Sequence, residues 1–233
     1  MSNKINKNWK QNTKLAHLGK DPDAYFGIVN PPIARASTIL YPDLAAYEDK
    51  DHKYRYGRMG NPMTDAFEGA VTELEGGYNA IVAGTGLSAI TTALLSVIKS
   101  GDHILVTDSV YPHTHEFLKN ICPRMGVEVE YYDPHIGAGI EELIRENTSL
   151  LYLESPGSGT YEIQDIPAMT KVAKAKGVTT LADNTWASGI LFNPIAHGVD
   201  LCLQAATKYI GGHSDVNLGF VVAANEQVYK PLR

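Results

Sequence analysis

The sequence predicts an α/β domain with a mostly parallel β-sheet sandwiched by helices. From about residue 61 onward, apolar runs of four or five residues, typical of buried strands, alternate with segments of helical periodicity. Turn formers separate them, such as Gly76-Gly77 and Gly177 at the ends of predicted helices. Strands that alternate with helices in this way are usually joined by crossovers, which produce parallel sheets.

The individual elements follow from these patterns in chain order. The first predicted helix opens at Pro62 and has apolar residues at helical spacing as far as Leu74. A second helix follows Gly84-Thr85-Gly86 and continues through Ile98, and further helices are predicted at 116–125, 139–146 and 167–176. The predicted strands are 80–83, 103–107, 128–132, 149–153, 178–182, 200–204 and 219–223.

Residues 1–60 lack strong periodicity and contain four prolines and an aromatic and basic cluster, residues 54–58. This composition predicts an extended N-terminal arm that lies over another surface, such as a second subunit. The predicted organisation is therefore an arm, residues 1–60, followed by a ligand-binding domain, residues 61–233.

Composition excludes several classes of protein. The chain has 233 residues and a formal net charge of −6, with no basic run interleaved with aromatics, which argues against nucleic-acid binding. No apolar stretch approaches the length of a membrane span, and no secretion signal is evident at the N-terminus, so we expect a cytoplasmic protein. The two cysteines and the histidines show no metal-ligand spacing, and no metal is expected.

Two residues at predicted strand ends indicate the chemistry. Asp183 follows one apolar strand, and Lys208 follows the next one, 25 positions later. A lysine beside a carboxylate suits pyridoxal 5′-phosphate, because the lysine can form a Schiff base with the aldehyde while the carboxylate keeps the pyridine nitrogen protonated. In a confined apolar site, the lysine would also serve as nucleophile and base. Read alone, Lys208 would be a surface lysine and Asp183 a turn or capping residue.

Other residues could complete a cofactor site. Gly84-Thr85-Gly86 forms a strand-to-helix turn whose N–H groups could bind a phosphate, although it lacks the sequence of a Walker A loop or of a dinucleotide fingerprint. The hydroxyl of Thr207 could donate to the same phosphate. Tyr111 could stack on a flat ring, and Tyr56 with Arg58 could bind phosphate. The alternative for Tyr111 is a tyrosine that packs inside the protein. The alternative for Tyr56 and Arg58 is a position on a solvent-exposed arm.

The sequence resembles the Cys/Met metabolism family of pyridoxal phosphate enzymes along nearly its whole length. The resemblance is carried by these segments: Tyr56-Gly57-Arg58, residues 73–77, Gly84-Thr85-Gly86, residues 108–111, residues 153–158, residues 183–187 and residues 204–213. It implies the large domain of fold type I enzymes, with the family's C-terminal small domain absent from this chain. It also implies pyridoxal 5′-phosphate as cofactor, an amino-acid substrate and a homo-oligomer, a dimer or tetramer.

The resemblance also assigns roles to residues. Lys208 would be the Schiff-base lysine, Asp183 the partner of the pyridine nitrogen, and Tyr111 the stacking ring. Three residues would hold the phosphate, with Tyr56 and Arg58 of a neighbouring subunit contributing to the same group; the three are Gly86, Leu87 and Thr207. Catalysis would depend on Lys208, Tyr111 and Tyr56.

Within the family, the sequence resembles the cystathionine beta-lyase branch at three positions, which are Ser158, Trp186 and Ala205. That branch implies a carbon–sulfur β-lyase, which cleaves L-cystathionine to L-homocysteine, pyruvate and ammonia in methionine biosynthesis. Three alternatives stay open. One is a γ-acting family member, such as cystathionine gamma-synthase, cystathionine gamma-lyase or methionine gamma-lyase; the others are a catalytically silent fragment and a nicotinamide-binding module.

Overall fold

The computed structural model describes residues 8–233 and divides the chain between Ala70 and Val71 into two compact units. The first unit contains helices α1 (Gln11–His17) and α2 (Leu44–Glu48), two 3₁₀ turns (Pro22–Tyr25 and Gly57–Met59) and the beginning of α3 (Pro62–Glu75). Its described residues form no sheet, and their β pairing is limited to one bridge, between Thr38 and Tyr56. The boundary predicted at residue 60 between an arm and a domain stays a prediction.

The second unit carries a seven-stranded sheet. The strands are β1 (Asn79–Ala83), β2 (His103–Thr107), β3 (Glu128–Tyr132), β4 (Thr148–Glu154), β5 (Thr179–Asp183), β6 (Leu201–Gln204) and β7 (Gly219–Ala223). The helices after α3 are α4 (Gly86–Val97), α5 (Pro112–Ile121), α6 (Ile166–Lys176), α7 (Ser188–Leu191) and α8 (Glu226–Tyr229).

The strands lie in the order β1-β7-β6-β5-β4-β2-β3. All pairs are parallel except the two that involve β7, which is antiparallel to both β6 and β1. Every strand except β7 therefore runs in the same direction, and their carboxyl ends share one edge of the sheet. In α/β folds ligands bind at this edge.

Apolar side chains cover both faces of the sheet, because successive residues of a strand point to opposite sides. On β4, Leu150 and Tyr152 pack in the core that includes α4 and α5, while Leu151 and Leu153 pack with α6 on the other face. Burial on two faces explains why the strands have continuous apolar runs instead of an alternating pattern. The predicted mostly parallel sheet between helices is confirmed.

Three elements differ from the sequence-based expectation. The helix predicted at 116–125 begins four residues earlier, because Pro112 occupies the first position of α5, where its missing N–H costs nothing. The helix predicted at 139–146 is a 3₁₀ helix, Gly137–Leu143. The last strand, β7, is antiparallel although its local sequence looks like that of the parallel strands.

Membrane-spanning helices and clusters of metal-binding side chains are both absent from residues 8–233. None of the helices in this range is long and apolar enough to cross a membrane. Within the same residues, no three side chains of the His, Cys, Asp and Glu types form a group that could hold a metal ion.

Candidate functional site

The candidate residues of the second unit meet at the carboxyl edge of the sheet. Gly86 and Leu87 follow β1, Tyr111 follows β2, and Asp183 ends β5. Thr207 and Lys208 follow β6, the strand that pairs with β5. The sheet topology therefore brings six of the eight residues selected from the sequence to one edge.

Asp183 is buried at the end of β5, with 8% of its surface exposed. Its carboxylate oxygen Oδ1 accepts a hydrogen bond from the backbone N–H of Thr185 at 2.9 Å. Among residues 8–233 it forms no salt bridge with a cationic side chain. Burial raises the pKa of Asp183, because a carboxylate loses hydration there without gaining a counter-ion. A cationic group of a ligand would supply that counter-ion.

Hydrogen bonds tie the segment after β5 to the segment after β6. The backbone N–H of Asn184 donates to the carbonyl of Leu203 at 2.9 Å, and the N–H of Ala205 donates to Thr185 Oγ1 at 2.8 Å. Asp183 and the loop that leads to Lys208 are therefore held side by side by contacts on both strands.

Lys208 lies in a tight loop at this edge. Its N–H donates to the carbonyl of Ala205 at 3.0 Å, and its own carbonyl accepts from Gly212 at 2.7 Å. The side chain of Lys208 is exposed, and the expectation that its amine lies in a confined apolar site stays a prediction.

The segment predicted to bind a phosphate lies at the N-terminus of α4, and its binding of phosphate stays a prediction. Thr85 caps the helix: its Oγ1 accepts from the N–H of Ser88 at 2.9 Å, and Ser88 Oγ accepts from the N–H of Thr85 at 2.8 Å. The N–H groups of Gly86 and Leu87, in the first turn, have no acceptor within the helix and point toward its N-terminal end. An anion is stabilised there by these donors and by the helix dipole.

A close approach joins the N-terminus of α4 to the lysine loop. A β-carbon built on Gly86 would lie 2.5 Å from the β-carbon of Ala205, and one built on Gly219 would lie 2.4 Å from the carbonyl oxygen of Thr85. Both distances are shorter than a van der Waals contact, so the backbones approach as closely as they do only because glycine occupies these positions. The glycines therefore place the N-terminus of α4 beside Ala205, three residues before Lys208.

The hydroxyl of Thr207 is engaged within the chain. Thr207 Oγ1 accepts from the N–H of Leu218 at 3.1 Å and lies 3.2 Å from Asn217 Oδ1. Its backbone N–H also donates to the carbonyl of Leu218. The residue thus fixes the lysine loop to the segment before β7, and its predicted contact with a phosphate stays a prediction.

Tyr111 is the residue that precedes α5, and its backbone is held from two directions. Its N–H donates to Glu154 Oε2 at 2.9 Å, and its carbonyl accepts from the N–H of His115 at 3.1 Å. The ring is partly exposed and lies 5.2 Å from the ring of His113, centroid to centroid. A partly open aromatic ring at the ligand edge is available for stacking.

Glu154 is the functional candidate that the residue-by-residue reading missed. It ends β4 directly opposite Asp183 on β5, and 9% of its surface is exposed. Burial, and then the charge of Asp183, raise the pKa of Glu154 to about 9. The signal in the sequence was a carboxylate directly after the buried run Leu150–Leu153, the same arrangement that singled out Asp183.

A third buried carboxylate, Glu75, connects two of the strand ends that carry candidate residues. Glu75 is fully buried, and its oxygens accept from Asn184 Nδ2 at 3.3 Å, from Cys202 Sγ at 3.2 Å, and from Gln204 Nε2. Burial raises its pKa, and these donors oppose that effect. Because Asn184 follows Asp183 and Gln204 ends β6, Glu75 holds together the two strand ends that carry the candidate residues.

Tyr56 and Arg58 belong to the first unit. The guanidinium carbon of Arg58 lies 5.9 Å from the centroid of the Tyr56 ring, and Tyr56 is within hydrogen-bond distance of Ser37, at 3.1 Å between their oxygens. Their predicted contact with a phosphate from a neighbouring subunit stays a prediction.

The site can therefore hold an elongated ligand with an anionic group at one end. The N-terminus of α4 suits the anion, and the buried carboxylate of Asp183 suits a cationic ring atom. Lys208 lies exposed on the adjoining loop, where an amine is available for reaction.

Comparison with protein families agrees with this arrangement. The family model described as "Cys/Met metabolism PLP-dependent enzyme" matches residues 12–233. A Rhizobium johnstonii protein, named provisionally as a cystathionine beta-lyase, is 49% identical over 222 residues, which are 95% of this chain and 56% of that protein. Cystathionine beta-lyase of Haemophilus influenzae is 37% identical over 231 residues, covering 95% of this chain and 57% of that protein.

A solved structure has the same fold. Cystathionine gamma-lyase from Lactobacillus plantarum, in a complex with L-serine, superposes with a TM-score of 0.90 and 33% sequence identity. The match covers 96% of this chain and 57% of that one. The chain thus spans a little more than half of the length of these relatives.

Proposed function

This chain belongs to the Cys/Met metabolism family of PLP-dependent enzymes, and we propose that it forms the cofactor-binding part of a carbon–sulfur β-lyase. The proposed reaction converts L-cystathionine and water to L-homocysteine, pyruvate and ammonia. The names of the Haemophilus and Rhizobium relatives support this activity. The runner-up is a γ-acting enzyme, which the name of the Lactobacillus structure supports.

The residues of the site fit pyridoxal 5′-phosphate, the cofactor of the family. The N–H groups of Gly86 and Leu87 would hold its phosphate, and the ionised carboxylate of Asp183 would hold its ring nitrogen in the protonated form. Tyr111 would stack on the ring, and Lys208 would bind the cofactor covalently through Nζ. When bound, the cofactor draws electrons from the substrate and so makes the Cα proton acidic.

Lys208 carries the proton transfers in this proposal. Its Nζ, once it is free, accepts the proton from the substrate Cα as a general base. The same amine, or the hydroxyl of a tyrosine such as Tyr111 or Tyr56, then donates a proton to the departing sulfur. General acid–base groups of this kind contribute about 10²- to 10⁴-fold in rate.

The observation that carries the proposal is the pairing of β5 with β6. Asp183 at the end of β5 lies opposite Leu203, and Lys208 follows five residues after Leu203. This adjacency supports a site in which Asp183 would hold the ring nitrogen of the cofactor and Lys208 would bind its reactive carbon.

We also propose a homo-oligomer in the cytoplasm. Tyr56 and Arg58 are expected to reach the phosphate of a neighbouring subunit, as the family resemblance implies. A phenol and a guanidinium are both good donors to phosphate, and the planar guanidinium can donate two hydrogen bonds at once.

Product analysis tests the activity. The purified protein is incubated with pyridoxal phosphate and L-cystathionine, and the keto acid is identified chromatographically. Pyruvate together with homocysteine supports the β-lyase. Release of α-ketobutyrate would instead identify the γ-acting alternative, and absence of any product would identify a silent chain.

Lys208→Ala tests the lysine in the same protein. We expect it to abolish the visible absorbance band of the bound cofactor and to lower pyruvate formation by at least about 10²-fold. The matched control is Lys230→Ala, because Lys230 is an exposed lysine whose partner is Glu226 of α8. Persistence of the absorbance band in Lys208→Ala would contradict the assignment.

A further inference from the structure

Tyr111 and Glu154 are connected by one hydrogen bond across 43 residues of sequence. The contact joins the backbone N–H of Tyr111 to Glu154 Oε2 at 2.9 Å. The backbone of Glu154 is fixed in turn, because its carbonyl accepts from Gln164 Nε2 at 2.8 Å. The carboxyl group is therefore a rigid acceptor, held by the sheet, for the residue proposed to stack on the cofactor.

In the part of the chain that the structure describes, the side chain of Glu154 has no cationic partner. Among residues 8–233, the groups that act on its carboxyl are Asp183 on the neighbouring strand and the N–H of Tyr111. The buried phenol of Tyr152 also interacts with both carboxyl groups. Two buried carboxyls in register, without a cation, favour a state in which one of them is protonated.

We propose that Glu154 is a positioning residue, which holds Tyr111 against the cofactor ring by acting as an uncharged hydrogen-bond acceptor. In the protonated carboxyl one oxygen accepts from Tyr111 and the other carries the proton. This leaves Asp183 as the single anion available to the ring nitrogen. The inference rests on the proposed function only for the identity of the ring that Tyr111 contacts.

Three variants test this role through cofactor binding. Glu154→Gln keeps an acceptor and no charge, so it imitates the protonated acid. Glu154→Met has a similar length and no good acceptor. Apo-protein is titrated with pyridoxal phosphate at neutral pH, and the dissociation constant is measured for each variant; circular dichroism confirms that each variant is folded.

We expect Glu154→Gln to bind the cofactor within about threefold of the unchanged protein, and Glu154→Met to bind about tenfold more weakly, the scale of one lost aromatic contact. Glu154→Asp has a shorter side chain, which withdraws the acceptor from Tyr111, so it should also weaken binding of the cofactor. If Glu154→Met does not fold, Glu154→Asp takes its place as the variant without the acceptor. If a folded variant that has lost the acceptor binds pyridoxal phosphate as tightly as the unchanged protein does, the proposal is wrong.

A double-mutant cycle separates positioning from a general structural effect. If Glu154 acts through the ring of Tyr111, then Glu154→Met should cost little further affinity in a Tyr111→Ala background. If the same tenfold loss persists without the ring, Glu154 does not act through Tyr111, and the proposal fails. These measurements use no substrate, so their outcome is independent of whether cystathionine is cleaved.

Discussion

At the scale of single residues, the carboxyl pair of Glu154 and Asp183 sets how the site responds to pH. The two groups end neighbouring strands, and burial raises the pKa of each. Within the described chain, the other titratable group that senses both is Tyr152. A proton held by Glu154 in the folded state would be released in the unfolded chain at an ordinary carboxyl pKa.

This difference predicts a pH dependence of stability. Between the ordinary glutamate pKa, about 4.5, and the folded value of about 9, the folded protein binds one more proton than the unfolded chain. The free energy of unfolding of the apo-protein should therefore fall as pH rises through this range. Urea unfolding at several pH values should show a smaller fall for Glu154→Gln.

Glu142→Gln is the matched control, because Glu142 is an exposed glutamate. It should reproduce the pH dependence of the unchanged protein. If Glu154→Gln loses stability with pH as steeply as this control does, Glu154 does not carry the extra proton.

At the scale of elements, the site depends on loops that approach each other closely. The turn between β1 and α4 contacts the loop after β6 at Gly86 and Ala205, where an added β-carbon would lie 2.5 Å from its neighbour. The obstacle is a β-carbon next to the backbone, which cannot rotate away. The contact therefore fixes the distance between the N-terminus of α4 and the loop that carries Lys208.

Gly86→Ala should lower both stability and cofactor affinity. Overpacking of this kind typically costs about 1–3 kcal/mol, and the displaced loop would misplace the N–H groups of α4. Urea unfolding and a cofactor titration measure the two effects. The control is Gly69→Ala, because an added β-carbon has no neighbour within 4 Å there and alanine is favoured over glycine in a helix by about 1 kcal/mol.

If Gly86→Ala binds the cofactor as well as Gly69→Ala does, the close approach is not needed for the site.

Local patterns predicted elements well where burial dominates. The predicted strands 103–107, 128–132 and 219–223 agree with the observed bounds. Two of them, 103–107 and 219–223, contain continuous apolar runs and are fully buried, and such runs between turn formers have few alternatives. The direction of β7 was not predictable, since it depends on which strands are its neighbours. The 3₁₀ helix at Gly137–Leu143 differs from an α-helix mainly in hydrogen-bond spacing, which a short segment does not encode.

The candidate site was predictable to the extent that it follows strand ends. Asp183 and Lys208 each follow an apolar run, and parallel strands place such residues at one edge. The role of Glu154 was not predictable, because it arises from the register of β4 against β5 and from a contact with Tyr111, 43 residues away. The exposure of Lys208 depends on how its loop folds.

At the scale of the whole molecule, the first unit exposes many apolar side chains. The most exposed are Phe26, Leu40, Ile33 and Leu44, at 99%, 87%, 77% and 69%. Single exposed apolar residues are common on protein surfaces, but several large ones on one small unit are not. Such groups often mark an interface. They support the proposed homo-oligomer.

Leu40→Glu should therefore reduce the mass of the oligomer, because it would bury a charge in the proposed interface. Light scattering coupled to size-exclusion chromatography measures the mass at micromolar concentration. Lys50→Glu, a charge change at an exposed position of the same unit, should leave the mass unchanged. Identical masses for both variants would exclude Leu40 from the interface.

The pairing of β1 with β7 also affects how the protein is made. Within the described chain, β1 has β7 as its one sheet neighbour, although about 140 residues separate them. A ribosome that adds about 5–20 residues per second needs about 7 to 28 seconds to synthesise that interval. During this time the nascent β1 has no strand to pair with, so we expect this segment to be a preferred binding site for chaperones during translation.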